Sequence, residues 1–432
     1  MAAAGGYAIR QVTTPESSRQ KEPVIPAYER VRAATRDLIE GLSEAEATLQ
    51  SMADASPAKW HLAHTTWFFE AFVLLPFAAG YRAFDEHFGY LFNSYYESVG
   101  ERLLRSQRGL ITRPSLACVL DYRSYVDDAV QRLLASGPAP PVLDRVILGM
   151  NHEEQHQELL LTDILHLFAQ NPLQPAYRAA RVPGPPAPMA TDRQWITLPG
   201  GIVAIGASAS SFAFDCERPR HEVLLQPFRL ASHPVLNEDW MTFIEDGGYA
   251  TPSLWLSDGW ERVQELHWAR PLYWLRRDSE WWETTLRGLQ PVDPVASVSQ
   301  VSFFEAYAFA RWAGNRLPTE FEWEHAAAEQ AVSGNFADSG RLCPGRPGPA
   351  SPFAALFGDV WEWTTSDFAP YPRFRPLANE LGEYNGKFMN GQRVLRGGSC
   401  VTAAGHVRPT YRNYFPPEKR WQFSGLRLAA DA

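Results

Sequence analysis

Apolar residues recur at three- and four-residue spacing in four stretches of the first 170 residues, the pattern of amphipathic helices. Tyr28, Val31, Leu38, Ile39 and Leu42 mark a first helix over 27–52. Ser56-Pro57 opens a second, Ser as the cap and Pro at the first helical position, running through Trp60-His61-Leu62-Ala63-His64 to about Leu75. A third covers about 116–136. The fourth starts at Pro140-Pro141, continues through Leu159-Leu160-Leu161-Thr162-Asp163-Ile164-Leu165 and ends before Pro172. The segment 84–115 is mixed, with Asn93-Ser94-Tyr95-Tyr96-Glu97 in a loop. Four helices with moderate connections predict a bundle, and bundles hold metals between facing helices.

The pattern then changes. Residues 171–194 carry six prolines and few large apolar residues, the mark of an extended linker. From Trp195 onward short strands, Gly turns and Trp dominate, interrupted by helical pieces at about 237–246 and 302–314. The expected division is a flexible arm over 1–26, a helical bundle over 27–170, the linker over 171–194 and a second domain over 195–432. No signal peptide is expected in the arm, and no stretch reaches eighteen apolar residues, so no membrane span is expected.

Composition narrows the classes. Hydrophobic content of 45% with 21% charged residues describes a globular chain rather than a disordered one. A net charge of −9 argues against a nucleic-acid or anionic-membrane surface. The four Cys show no paired spacing, which argues against a disulfide framework, predicts a reducing, cytoplasmic setting, and leaves them as small buried apolar residues.

The candidate chemistry centres on His152-Glu153-Glu154-Gln155-His156. Residues four apart share one helical face, so both imidazoles can reach one metal ion, and Leu148 and Leu159 turn that face inward. The same pentapeptide matches the zinc-hydrolase signature His-Glu-x-x-His, in which the Glu is a general base. That reading lacks its third ligand: no Glu occurs between Glu158 and Glu217, and Leu159 stands where a Gly turn would be. Upstream, His61 and His64 are both candidates. Three neutral imidazoles leave half of an octahedral shell open, which suits Fe(II) taking an anionic thiolate, a second substrate and O₂. A closed structural zinc site would want four ligands and thiolates.

Trp60-His61-Leu62-Ala63-His64 together with the His152–His156 motif resembles the DinB-type bundle of the ergothioneine-biosynthetic sulfoxide synthases, the hercynine oxygenases. The second half resembles the formylglycine-generating-enzyme fold, a C-type-lectin-like scaffold. It does so through Arg316-Leu317-Pro318-Thr319-Glu320-Phe321-Glu322-Trp323-Glu324, Gly358-Asp359-Val360-Trp361-Glu362-Trp363-Thr364, Leu395-Arg396-Gly397-Gly398-Ser399 and the ending from Tyr411 to Arg427. The resemblance implies an α+β chain, a DinB-like four-helix bundle followed by a formylglycine-generating-enzyme-like domain. It also implies an Fe(II)- and O₂-dependent oxidoreductase joining the thiol of cysteine to imidazole C2 of hercynine as a sulfoxide.

The resemblance further implies residue roles. Iron falls on His64, His152 and His156, with His61 a neighbour. Tyr95-Tyr96 match the pair that supplies a proton, Tyr95 being favoured. Gln155 and Asn413 match positions that contact hercynine, and Arg420 and Arg113 positions that bind the donor's carboxylate. Phe415 stands where users of γ-glutamylcysteine carry an Asp, and Leu110 where they carry a further Arg; both departures imply free cysteine as donor. Cys343 and Cys400 lie far apart in sequence, against the closely spaced pair of formylglycine generation. Relatives of this subtype suggest a homo-tetramer. Competing expectations are the same reaction on γ-glutamylcysteine, a selenoneine synthase using a selenosugar, and, from another class, a non-catalytic metal- or thiol-binding protein. A histidine-using, ovothiol-type relative would carry a further methyltransferase domain.

Overall fold

Helices fill the chain up to residue 169 and strands begin at 195 in the structure, a computed structural model describing residues 22–179, 193–209, 211–349 and 352–432. Most of the expected arm, up to residue 21, and positions 180–192 of the expected linker lie outside the described residues.

α1 (Val24–Ile39), α3 (Ala58–Phe69), α6 (Leu116–Ala135) and α7 (Pro140–Ala169) are the long helices of the bundle. The single helix expected over 27–52 is instead two. α1 stops at Ile39 because Gly41 takes a left-handed φ of +88°, and α2 (Glu44–Thr48) restarts under a Ser43–Glu46 capping box. α3 begins one residue later than expected, with Pro57 at the cap position. Ser56 serves tertiary structure instead: its N–H donates to Asp163 at 2.8 Å and its hydroxyl accepts from Arg108 at 2.8 Å. Past Phe69 a π-helical turn (Glu70–Leu74) leads into α4 (Leu75–Phe77), and α5 (Phe88–Phe92) precedes the Tyr95-Tyr96 loop. In that loop the Asn93 side chain accepts from the Tyr96 N–H at 3.0 Å and donates to its carbonyl at 2.9 Å.

Gly149 sets the approach of α7 to α3. A Cβ there would lie 2.5 Å from the Phe69 ring, so only glycine lets the rings of Phe68 and Phe69 lie against this turn. Phe68 in turn packs on His152 at 4.6 Å between ring centroids.

The second region is built from small sheets. β1 (Trp195–Leu198), β4 (Phe228–Ala231) and β12 (Ala429–Asp431) form one, in the order β1-β4-β12, and β2 (Gly201–Ile205) pairs with β3 (His221–Leu225). β5 (Trp274–Arg277), β6 (Glu280–Thr285) and β7 (Gly288–Pro291) form an antiparallel meander. A four-stranded sheet runs β10-β9-β8-β11, from β8 (Trp361–Asp367), β9 (Arg393–Arg396), β10 (Asn413–Phe415) and β11 (Ser424–Gly425), with β11 parallel to β8. The expected helices at 237–246 and 302–314 are α8 (Asn237–Glu245) and α10 (Phe303–Trp312). α9 (Ser257–Leu266) and α11 (Glu320–Ala327) were not expected, although the Thr319/Glu322 capping box that opens α11 is written in the sequence. Of the four Cys, Cys216 and Cys400 are buried as expected, whereas Cys118 and Cys343 are only half-buried.

α7 joins the halves. Its Glu158 carboxylate accepts from Trp361 Nε1, Ser399 Oγ and Thr402 Oγ1, each at 2.7 Å, and Asp163 accepts from Trp421 Nε1 at 3.1 Å. Anion-accepting hydrogen bonds of this kind are among the stronger ones available to a protein, so the docking is specific in register.

Candidate metal centre and substrate cavity

His152 and His156, one turn apart on α7, meet His64 of α3. One ring nitrogen from each lies within 4.8 Å of the others, and all three residues are buried. Their neighbours fix which nitrogen is bare. His64 Nδ1 sits 2.6 Å from the Phe92 carbonyl, an obligate acceptor, so that nitrogen carries the proton and Nε2 is free. His61 Nε2 lies 3.0 Å from the Asp163 carboxylate, which leaves His61 Nδ1 to accept from His156 Nδ1 at 2.9 Å and frees His156 Nε2. His152 Nε2 faces His64 Nε2 at 3.2 Å, while its buried Nδ1 has no partner. Burial, with the neighbouring imidazoles, holds His64 and His156 well below the ordinary histidine range, and burial takes His152 down to about 3. Three neutral imidazoles with convergent lone pairs are a ligand set for a divalent transition metal, and their neutrality leaves its charge uncompensated.

Glu153, the would-be base of a zinc hydrolase, points the other way. Fully buried, it accepts from Arg32 Nη1 at 2.8 Å, from Thr35 Oγ1 at 2.5 Å and from Arg123 Nη2. Its lone pairs are spent on structure.

Beside the histidines a cavity of about 290 Å³ opens between the bundle and the β10 edge, with His152, Gln155, His156, Tyr95, Asn413 and Phe415 in its wall. Gln155 is held by a chain of hydrogen bonds with one consistent direction. Tyr384 donates to its Oε1 at 2.5 Å, and its Nε2 donates to the Tyr411 hydroxyl at 2.7 Å. Tyr411 meets His406 Nε2 at 3.1 Å, and His406 Nδ1 meets Glu154 at 2.9 Å. The amide orientation is thereby fixed, with one N–H and one lone pair left for a ligand.

Four cations line the cavity; Arg412 is paired with Glu320 and Lys419 with Asp54, which leaves Arg105 and Arg108. Arg108 is buried, stacks 3.3 Å over Trp60, which also stacks on the His64 ring at 4.6 Å, and gives one hydrogen bond, to Ser56. Its Nε and Nη2 are buried without a partner. Burial, and secondarily Arg105, pushes it down to about 8. Asp163 favours its charge from a distance, but no carboxylate among the described residues pairs with it directly, and such a buried guanidinium at the edge of a cavity is arranged for an anion.

Comparisons with known proteins agree with this architecture. The DinB superfamily model matches residues 27–161, and the sulfatase-modifying factor enzyme 1-like domain matches 182–355 and 351–432. The hercynine oxygenase of Mycobacterium tuberculosis is 32% identical over 93% of this chain and 97% of its own length. That of Mycolicibacterium smegmatis is 36% identical over 66% of this chain and 72% of its own. The formylglycine-generating enzyme of Streptomyces coelicolor is 29% identical, matching 60% of this chain. The chain belongs to the hercynine oxygenase family. As a member of that family it is an oxygenase.

The other residues singled out by sequence are distributed unevenly around this centre. Tyr95 lines the cavity, whereas Tyr96 is fully buried behind it, the two rings stacked at 4.6 Å; burial raises both phenols above the ordinary tyrosine range. Asn413 and Phe415 are both in the wall, being two apart on β10 and so on the same side of that strand. Arg113 and Arg420 are not. Arg113 is exposed on the loop before α6. Arg420 is buried against Trp268 and spends its charge on Glu305 at 2.9 Å and on the Arg270 carbonyl. Sequence reasoning missed Arg105, Arg108, Tyr384 and Tyr411. The Arg pair three apart in a short 3-10 helix is a readable signal; the two phenols had none.

No helix among the described residues is long and apolar enough to cross a membrane.

Proposed function

We propose that this chain is a sulfoxide synthase of ergothioneine biosynthesis that uses Fe(II), O₂, hercynine and free cysteine. The observation that carries the reading is the juxtaposition of three bare imidazole nitrogens, an oriented amide and an unpaired guanidinium around one small cavity. In the overall reaction the C2–H of the imidazole and the S–H are lost and C–S and S–O bonds form. The electrons released reduce O₂, one oxygen staying on sulfur and the other leaving as water.

His64, His152 and His156 would hold the metal, which when bound supplies a Lewis-acidic, redox-active centre open to a thiolate and to O₂. Arg108, aided by Arg105, binds the donor's carboxylate and so aims its sulfur at the centre. Gln155, locked between Tyr384 and Tyr411, and Asn413 hydrogen-bond hercynine, while the aromatic wall of Tyr384, Tyr411 and Tyr414 receives its quaternary ammonium. Tyr95 holds the proton at its Oη for the oxygen being reduced, and the raised pKa keeps that proton in place until it is needed. Tyr96 supports it from behind.

The preference for cysteine rests on Phe415, which packs edge-on against Trp421 at 5.6 Å. The carboxylates in the wall are already engaged: Asp54 with Lys419 at 2.6 Å, Asp163 with His61, Ser56 and Trp421, and Glu158 with the second region. None is free to pair a glutamyl ammonium. Anaerobic loading with Fe(II), then O₂ consumption with hercynine and cysteine and mass analysis, tests the proposal. A product carrying both skeletons plus one oxygen is expected. Uptake yielding only cysteine sulfinate would refute the acceptor, and faster turnover on γ-glutamylcysteine would refute the donor.

A further inference from the structure

His61 lies three residues before a candidate ligand and lines the cavity with His152 and His156, but it is not one of the three clustered histidines. It is buried, and both of its ring nitrogens are engaged, Nε2 by Asp163 and Nδ1 by His156. Asp163 stands seven residues after His156 on the same face of α7, and three separate elements donate to it. These are His61 from α3, the Ser56 N–H from the segment before α3, and Trp421 Nε1 from the second region. A carboxylate accepts only, so it fixes the proton of His61 on Nε2. His61 Nδ1 is then an acceptor only, which fixes the proton of His156 on Nδ1.

We infer that Asp163 and His61 form a positioning relay that holds His156 in the tautomer and ring orientation needed to bind a metal through Nε2, and that Trp421 ties this relay to docking of the second region. Each of the other two ligands is treated differently. His64 is oriented by a backbone carbonyl, and His152 Nδ1 has no hydrogen-bond partner among the described residues. His156 is therefore the ligand whose basicity the protein tunes with a buried carboxylate one imidazole removed. Hydrogen-bonded partners of this kind orient ligating histidines and raise their donor strength. The relay also makes the centre sensitive to interdomain contact, because Asp163 loses a donor whenever Trp421 moves away.

The inference rests on the metal centre proposed above, and Co(II) alone separates the two. Affinity is read on the full-length chain by competition with a chromophoric chelator, alongside the visible Co(II) bands. His61→Phe should weaken binding about 10- to 100-fold and alter the bands. His61→Gln, which can accept from His156 Nδ1 and donate to Asp163, should recover most of the loss. His61→Phe binding like the native chain, or His61→Gln as weak as His61→Phe, would overturn the relay while leaving the metal centre standing. Failure of the native chain to bind Co(II) would overturn both. If His61→Phe does not fold, ¹⁵N-histidine spectra of the metal-free native chain decide instead. They should show His156 protonated at Nδ1 and His61 at Nε2, and the reverse pattern would overturn the relay.

Discussion

The two sides of α7 carry buried polar clusters of opposite character. Behind the helix, Glu153, Arg32, Arg123, Thr35 and Asp127 are joined by hydrogen bonds, and Gln157 completes the cluster through Thr35 and the Val31 carbonyl. In front, equally buried groups are left open: among the described residues, His152 Nδ1 and Arg108 Nε and Nη2 lack hydrogen-bond partners. Burying a polar group without a partner costs free energy, so such groups gathered at one cavity mark a place where a ligand would complete them. The satisfied cluster is architecture and the open one fits the proposed binding site, although His152 and Glu153 are neighbours in the sequence.

Replacing His152 with Ala attacks the open side at its centre. Turnover should fall by about 10³-fold or more as a metal ligand is lost, with thermal stability little changed. Retained turnover would remove His152 from the ligand set. Glu153→Leu attacks the closed side. It strands two buried guanidiniums and should cost about 3–5 kcal/mol of stability, read as a lower unfolding midpoint, while molecules that remain folded turn over normally. Lost turnover at an unchanged midpoint would revive Glu153 as a catalytic base.

The same residue gives the closed side a pH signature. Burial alone would raise its carboxyl, but the guanidiniums of Arg123 and Arg32 and the hydrogen bond from Thr35 bring it below the ordinary value of 4.5. A depressed carboxylate contributes stability that is present above its unfolded pKa and lost as pH falls through its folded one. Native stability should therefore decline below about pH 4.5, and Glu153→Gln should flatten that decline in acid titrations followed by circular dichroism.

Arg108→Met sharpens the contrast from the substrate's side. Loss of a charge-assisted contact of about 1.5–3 kcal/mol should raise KM for the thiol about 10- to 100-fold with kcat nearly constant. The unfolding midpoint should change little, because the cation removed makes no direct ion pair among the described residues and feels Asp163 only at a distance. A fall in stability with unchanged KM would move Arg108 to the structural side. Tyr95→Phe should lower kcat more than Tyr96→Phe and divert product toward cysteine sulfinate, since only Tyr95 reaches the cavity. Equal effects would show that the pair acts as one unit.

The sequence by itself determined where the long bundle helices lie, because periodicity and capping are local, although it missed the break at Gly41 and the short helices α9 and α11. His152 and His156 share a face by their spacing, and the DinB-like and formylglycine-generating-enzyme-like halves are written in contiguous motifs. Tertiary structure decided what faces what. His64 reaches His152 across 88 residues, and His61 is diverted to Asp163 although it sits on the same helix as His64. Arg113 and Arg420 match anion-binding positions, yet one is exposed and the other is neutralised by Glu305, while Arg108, whose spacing from Arg105 could be read but not its surroundings, stands at the cavity. The physical reason is that a charged side chain's role depends on whether its partner is already inside the protein. That partner is chosen by packing between segments far apart in the chain.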